Sequence, residues 1–276
     1  MFVPDGGGDF GWYVTNHTTR PTGFMGTIVT PGNNSKGSWA QCLSAIAQDT
    51  CLVHVNINNA NTSAAARDII LDIGIDEAGG SSYSVKIPDL IGSCASTNNG
   101  GGGINYLFPL FIKAGSTIAA RASQNGVTTG LRTWLKLWGQ PKNPAAFRVG
   151  SRVEAIGVVS ASSRGTLVTP GTTSVGAWTS IGSLANNSWW WQYGFGVNDS
   201  TMTSQCYRND IAVGSGGEVP LITDHLWFTN SVETSSSGLY VPCERDVPAG
   251  AAVYGRSWCE GTPDSNMSMV VYALGG

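Results

Sequence analysis

Charge is scarce in this chain. Asp, Glu, Lys and Arg make up 12% of its 276 residues, about half the roughly 25% of an ordinary soluble domain. The net charge is −3 and the basic residues form no cluster. That excludes nucleic acid as the main partner, because neutralising a phosphate backbone needs grouped Lys and Arg. No apolar run approaches the ~18 residues of a membrane-spanning helix, so no membrane partner is expected. Met1-Phe2-Val3-Pro4-Asp5-Gly6 has neither the basic nor the apolar region of a secretory signal, and the expectation is synthesis in a cytoplasm. Stretches rich in Ala, Leu, Glu and Lys are missing, which excludes a mainly helical fold. The three histidines, His17, His54 and His225, stand far apart, and H-E-x-x-H does not occur. Neither a G-x-S-x-G nucleophile elbow nor a phosphate-cradling G-x-x-x-x-G-K-[ST] is present. No catalytic residue, cofactor or metal is therefore expected. C-x-x-C is absent too, which argues against a zinc ribbon or a thioredoxin-type site.

What fills the chain instead is Gly, Ser, Thr and Asn among Val, Ile and aromatic residues. That composition favours strands and turns, and 41% hydrophobic residues can fill real cores. Gly26-Thr27-Ile28-Val29-Thr30-Pro31-Gly32, with Ser35, Gly37 and Trp39 after it, recurs as Gly165-Thr166-Leu167-Val168-Thr169-Pro170-Gly171, with Ser174, Gly176 and Trp178. Each matched pair is 139 positions apart, close to half the chain. A unit of that size is a domain rather than a solenoid repeat.

Within each half, short alternating stretches are separated by turn signals. Val53, Val55 and Ile57 predict a half-buried strand, and so does Arg67 to Asp76. Pro109 places Tyr106–Ile112 at a sheet edge or bulge. Ser116–Arg121 and Leu131–Trp138 complete the first unit. In the second, Trp191, Tyr193 and Phe195 take the inward positions, and Met267–Gly275 is the last strand. Seven or eight short strands per half predict an all-β fold: two tandem antiparallel β-sandwich (jelly-roll-like) domains related by internal duplication. The expected divisions are an N-terminal arm (1–25), a first sandwich (26–139), a linker (140–152) and a second sandwich (153–276).

Several residues invite a role. Phe2, Phe10, Trp12 and Tyr13 make the first 25 residues unusually aromatic for a tail; they are read either as an arm docking on a neighbouring subunit or as a short strand of the first domain. Asp68, Asp72 and Asp76 share one strand face. Carboxylates four residues apart on a strand are about 13 Å apart, too far for a glycosidase pair, so a solvated face is expected. Arg121 and Arg256 each stand six residues after a glycine turn, and are read either as structural arginines or as intersubunit ion-pair partners. Trp190 must face away from Trp189 and Trp191, and an exposed aromatic patch there would mark a binding surface. The six cysteines do not match between the halves. They are read as idle thiols or, after release from a cell, as the bridges Cys42–Cys51 and Cys243–Cys259.

The pattern G-T-[IL]-V-T-P-G-x-x-S-x-G-x-W, then Arg67-Asp68 leading to Ile73-Gly74, then Ile112 through Arg121, resembles structural proteins encoded in the virion modules of tailed bacteriophages. The segment from Gly115 to Arg121 carries most of the likeness. It is weaker in the second half, where the segment reads Gly250-Ala251-Ala252-Val253-Tyr254-Gly255-Arg256. The resemblance implies a non-enzymatic virion protein made in the host cytoplasm. One expected form is a capsid decoration (cement) protein, a homo-oligomer and by preference a trimer, packing against other phage capsid or tail proteins. The other is a tail-tip or fibre protein that recognises a host surface glycan. A hydrolase is disfavoured, since no acid–base constellation is readable.

Overall fold

A computed structural model of the chain describes residues 12–16, 26–58, 67–94, 104–124, 131–139, 148–159, 165–172, 174–197, 205–214, 219–229, 237–238, 243–260 and 267–276. These residues form strands, turns and loops, with no helix among them. The first half supplies β1 (Tyr13–Thr15), β2 (Thr27–Val29), β3 (Gly32–Asn33), β4 (Ala40–Leu43), β5 (Thr50–Asn58), β6 (Arg67–Asp76), β7 (Ser84–Cys94), β8 (Ile104–Phe108), β9 (Thr117–Gln124) and β10 (Leu131–Gly139). Sheet I runs β1-β10-β5-β8 with β2 on β10, and sheet II runs β3-β9-β6-β7 with β4 on β9.

The second half supplies β11 (Arg152–Ile156), β12 (Thr166–Val168), β13 (Thr179–Ser183), β14 (Ser188–Val197), β15 (Gln205–Val213), β16 (Val219–Thr229), β17 (Ser237–Gly238), β18 (Cys243–Val247), β19 (Ala252–Cys259) and β20 (Met267–Gly275). Sheet III runs β11-β20-β14-β17 with β12 on β20 and β18 on β14, and sheet IV runs β13-β19-β15-β16. Pairing between these strands is antiparallel, apart from a two-residue parallel contact of β3 with β9. The protein is thus all-β and sandwich-like.

Alternation builds both cores. Val53, Val55 and Ile57 of β5 meet Ile69, Leu71 and Ile73 of β6 between sheets I and II. Trp191, Tyr193 and Phe195 of β14 meet Tyr207, Ile211 and Val213 of β15 between sheets III and IV. β8 ends just before Pro109, as a residue without an N–H requires. β20 departs from alternation, because all nine of its residues are buried. Met267, Met269, Val271 and Ala273 face the second core, whereas Val270, Tyr272 and Leu274 belong to the first.

The recurring Pro-Gly segment folds as a tight loop clamped to the neighbouring sheet. Gly37 N–H donates to Ala122 O at 2.8 Å, and Gly176 N–H donates to Ser257 O at 2.9 Å. A Cβ on Gly37 would lie 2.5 Å from Thr30 O, and one on Gly176 would lie 2.7 Å from Thr169 O. Both clashes are with backbone. Gly37→Ala and Gly176→Ala should therefore each lower stability by about 1–3 kcal/mol, read as a fall in the urea midpoint. A loss below a few tenths of a kcal/mol would mean the loops yield freely.

Candidate functional site

Each clamped loop delivers a tryptophan onto an arginine. In sheet II, Asp72 and Arg121 are cross-strand partners, and Arg121 Nε donates to Asp72 Oδ2 at 2.9 Å. Asp72 Oδ1 accepts from Lys36 Nζ at 2.7 Å and from Asp89 N–H at 3.0 Å. The Arg121 guanidinium lies 4.5 Å from the Trp39 ring centre. Sheet IV holds the same arrangement. Asp210 and Arg256 are cross-strand partners, Arg256 Nε donates to Asp210 Oδ2 at 2.7 Å, and Asp224 N–H donates to Asp210 Oδ1 at 2.7 Å. Trp178 covers Arg256 at 4.3 Å. Asp89 (φ 51°) and Asp224 (φ 55°) adopt the left-handed conformation, which Asp tolerates better than most residues and which here turns each N–H onto the carboxylate.

This corrects the expected solvated acidic face. Asp72 is only 3% exposed, because the Gly32–Trp39 loop lies over that face of β6. Asp76 is buried as well and accepts from Ala78 N–H at 2.9 Å and Ser82 N–H at 2.8 Å, closing a turn. The side chain of Asp68 lies outside the described residues. Arg121 and Arg256 both pair within the chain.

The second feature is a seam where sheet III crosses the open side of the first sandwich. β8 ends sheet I there and β7 ends sheet II, so their outer backbone groups need partners. Side chains of β14 and β20 supply them. Gln192 Oε1 accepts from Leu107 N–H at 3.0 Å, and the Gln192 amide donates back to Leu107 O. Trp190 Nε1 donates to the same carbonyl at 3.2 Å. Tyr272 Oη accepts from Ile91 N–H at 2.7 Å and donates to Asp89 O at 2.9 Å. Tyr106 Oη donates to Ile91 O at 2.6 Å and meets Tyr272 edge-on at 5.2 Å. Burial drives both phenol pKa values up, so each keeps the proton it donates. The exposed patch expected at Trp190 is therefore absent: the residue does leave the second core, but it is 8% exposed and seals the first.

The third feature is the outer face of sheet I. Tyr13, 50% exposed, pairs with Trp138 across β1 and β10. Lys136 Nζ lies 4.8 Å from the ring centres of both Tyr13 and Trp138. The His54 ring meets Trp134 edge-on at 5.5 Å, and its Nε2 is 2.9 Å from Asn105 Oδ1. Asn56 Nδ2 donates to that same oxygen at 2.7 Å. Burial lowers the His54 pKa, which favours the neutral ring. Trp12 O accepts from Gly139 N–H at 3.0 Å. Trp12 and Tyr13 thus lead into and form part of a strand of the first sheet, which corrects the docking-arm alternative for these two. Phe2 and Phe10 lie outside the described residues, as do the Asn98–Gly103 loop and residues 140–147 of the expected linker. Trp134, Asn56 and Asn105 escaped the sequence reading; the run Arg132, Trp134, Lys136, Trp138 at every second position was the signal for them.

No disulfide joins Cys42 to Cys51 or Cys243 to Cys259, against the two bridges considered. Cys42 (β4) and Cys51 (β5) belong to facing sheets, as do Cys243 (β18) and Cys259 (β19). Packed sheets stand about 10 Å apart, whereas bridged Cα atoms lie within about 7 Å. Burial pushes the Cys42 and Cys51 thiols up to about 12, away from the reactive thiolate. Among the described residues no group of three His, Cys, Asp or Glu could hold a metal. An open cleft of about 380 Å³ is lined by Arg148, Trp189, Asp246 and Pro248. Arg148 there stacks on Trp189 at 4.5 Å and pairs with Asp246 at 2.7 Å.

No family model matches the chain, and no curated protein matches it. Among solved structures, PNGF-II shows 9% identity over 96% of this chain at a TM-score of 0.40, and this chain spans 65% of its length. Naturally occurring empty particles of cowpea mosaic virus show 8% identity over 96% of this chain and 89% of theirs, at a TM-score of 0.33. The CBM22-1–CBM22-2 tandem domain of Paenibacillus barcinonensis Xyn10C shows 9% identity over 83% of this chain and 80% of its own, at a TM-score of 0.23. The neighbours thus include viral particle proteins and a tandem CBM22 domain. Likeness of this degree carries no argument about what this chain does.

Proposed function

We propose that this chain is a non-enzymatic structural protein of a tailed-phage virion, in the form of a capsid decoration protein built from a duplicated sandwich. The observation that carries the reading is the fate of the recurring motif. The Pro-Gly segment that opens the virion resemblance is an architectural clamp: it sets Trp39 on Arg121, the last residue of the Gly115–Arg121 segment, and Trp178 on Arg256, each over a buried aspartate. The residue types that could do chemistry in those places are engaged in holding sheets together. The sealed seam supports the same reading, since it makes a stiff block with few charges. Stabilisation of the shell would follow by mass action, because a protein that binds only the assembled shell favours it. The decoration form predicts that purified protein sediments with empty shells and forms a trimer in analytical ultracentrifugation. Protein left in the supernatant, with capsids intact without it, would discard that form.

One observation favours a second reading, a tail-tip or fibre protein that recognises a host glycan. The outer face of sheet I combines Tyr13 and Trp134 rings with the Asn56–Asn105 amides and a neutral His54. Ring faces and amides of this kind suit the apolar faces and hydroxyls of a neutral sugar. Under that reading the free protein blocks adsorption to host cells, and Trp134→Ala abolishes the block.

A further inference from the structure

We infer that the second sandwich contains an acid-responsive core element that the first sandwich lacks, formed by Asn209, Ser257 and His225. The two cores can be compared strand by strand, because the Asp–Arg pairs fix the register. One residue before Asp72, Leu71 lies opposite Ala122 on β9 and Leu90 on β7. One residue before Asp210, Asn209 lies opposite Ser257 on β19 and His225 on β16. Leu71, Ala122 and Leu90 are fully buried and apolar. Three polar side chains occupy the matching places in the second core.

These polar groups are only partly satisfied. Asn209 and Ser257 are both 0% exposed. Ser257 Oγ donates to Asn209 Oδ1 at 2.8 Å, while Asn209 Nδ2 and His225 Nε2 are buried without a partner. The half-buried His225 ring stacks on Phe195 at 5.4 Å with a 16° interplanar angle and meets Tyr193 edge-on at 5.3 Å. The groups facing it are therefore Tyr193 and Phe195 from β14, Asn209 from β15, and Ser257 beside Asn209 on β19. None of these is a carboxylate; on β18, which also packs against β16, Glu244 and Asp246 are exposed and Cys243 is half-buried. Asp210 and Asp224 lie nearby in sequence but point to the outer face, toward Arg256 and Arg208. A proton added to His225 creates a cation with no anion to meet, in a place where a buried charge is costly.

Burial accordingly lowers the His225 pKa from 6.5 to about 4. A depressed histidine contributes stability that is complete above its unfolded value. As pH falls below about 6.5 the unfolded chain takes up the proton first, and the contribution is lost progressively down to about 4. The larger effect belongs to the second sandwich: burial lowers the His54 pKa too, but the hydrogen bond to Asn105 offsets part of that shift. His54, in the first, lies on an outer face with Asn105 beside it.

The test is hydrogen exchange on the full chain at pH 7 and pH 4.5, corrected for intrinsic rates and read at amides that exchange through partial opening of one sandwich rather than through the global transition. Protection in β15, β16 and β19 should fall about tenfold to a hundredfold more than protection in β6, β7 and β9, since each unit of displaced pKa is a tenfold effect and partial exposure of the ring reduces the full value. His225→Leu, the residue type of the first sandwich, should abolish the excess loss. His225→Gln, polar and untitratable, gives the same readout if the leucine variant does not fold. Equal loss in both sandwiches, or an excess that survives both substitutions, would overturn the inference.

Discussion

Arg256→Met should destabilise the protein by about 3 kcal/mol, the low end of the roughly 3–5 kcal/mol cost of stranding a buried charge because Arg256 is partly exposed, and Arg121→Met by about half as much, because Asp72 is not left stranded. The asymmetry follows from what each aspartate keeps. Without Arg121, Asp72 still has Lys36 at 2.7 Å. Without Arg256, Asp210 keeps only the Asp224 N–H among the described contacts. Val175 stands at the motif position held by Lys36 in the first half. Both substitutions also remove a cation from a tryptophan face, a contribution of about 0.5–1 kcal/mol that is equal on the two sides and leaves the ordering intact. Urea unfolding of both variants and of Lys36→Met/Arg121→Met gives the comparison. The double variant should reach the Arg256→Met loss. Equal losses in the two single variants would show that Lys36 does not compensate, and the account of the two sites would fail.

Much of the strand layout was legible because a single buried face writes itself into the sequence. Arg67–Asp76 alternates, and β6 occupies those residues. Met267–Gly275 was legible as a strand as well. The fate of the outward faces was not legible. Period-two alternation separates the two sides of a strand, but it does not say whether the far side meets water or another layer. Asp72 and Trp190 were misassigned for this one reason. A loop that starts more than thirty positions away covers Asp72, and a sheet from the other half covers the β7 and β8 edges through Trp190. Two signals were present all the same. Val270-Val271-Tyr272-Ala273-Leu274 is unbroken apolar sequence, as a strand buried on both faces requires. The motif tryptophan and the turn-spaced arginine recur together in both halves, which is what a contact between them produces. The polar set at Asn209, Ser257 and His225 could be recognised only once cross-strand register was known, since nothing adjacent in sequence joins these positions.

Cutting the seam should divide the molecule thermodynamically. Trp190→Ala removes a large buried side chain, and losses of that kind run to about 3–5 kcal/mol. Gly194→Val tests the coupling more selectively. Gly194 lies on the face of β14 turned away from the second core, and a Cβ there would sit 2.6 Å from the Ile91 side chain and 3.0 Å from Tyr106 Oη. The clash strikes the groups that tie β7 and β8 to sheet III, while Trp191, Tyr193 and Phe195 keep their places in the second core. Wild-type protein should unfold in one calorimetric transition, with equal van't Hoff and calorimetric enthalpies. Gly194→Val should show two transitions, because each sandwich keeps its own core but no longer needs the other to satisfy an edge. The first sandwich should melt earlier, since its edge strands lose the caps from Gln192 and Tyr272. A single transition at lower temperature would mean that the two sandwiches are joined by contacts other than this seam, and the stiff-block reading of the structural role would lose its physical basis.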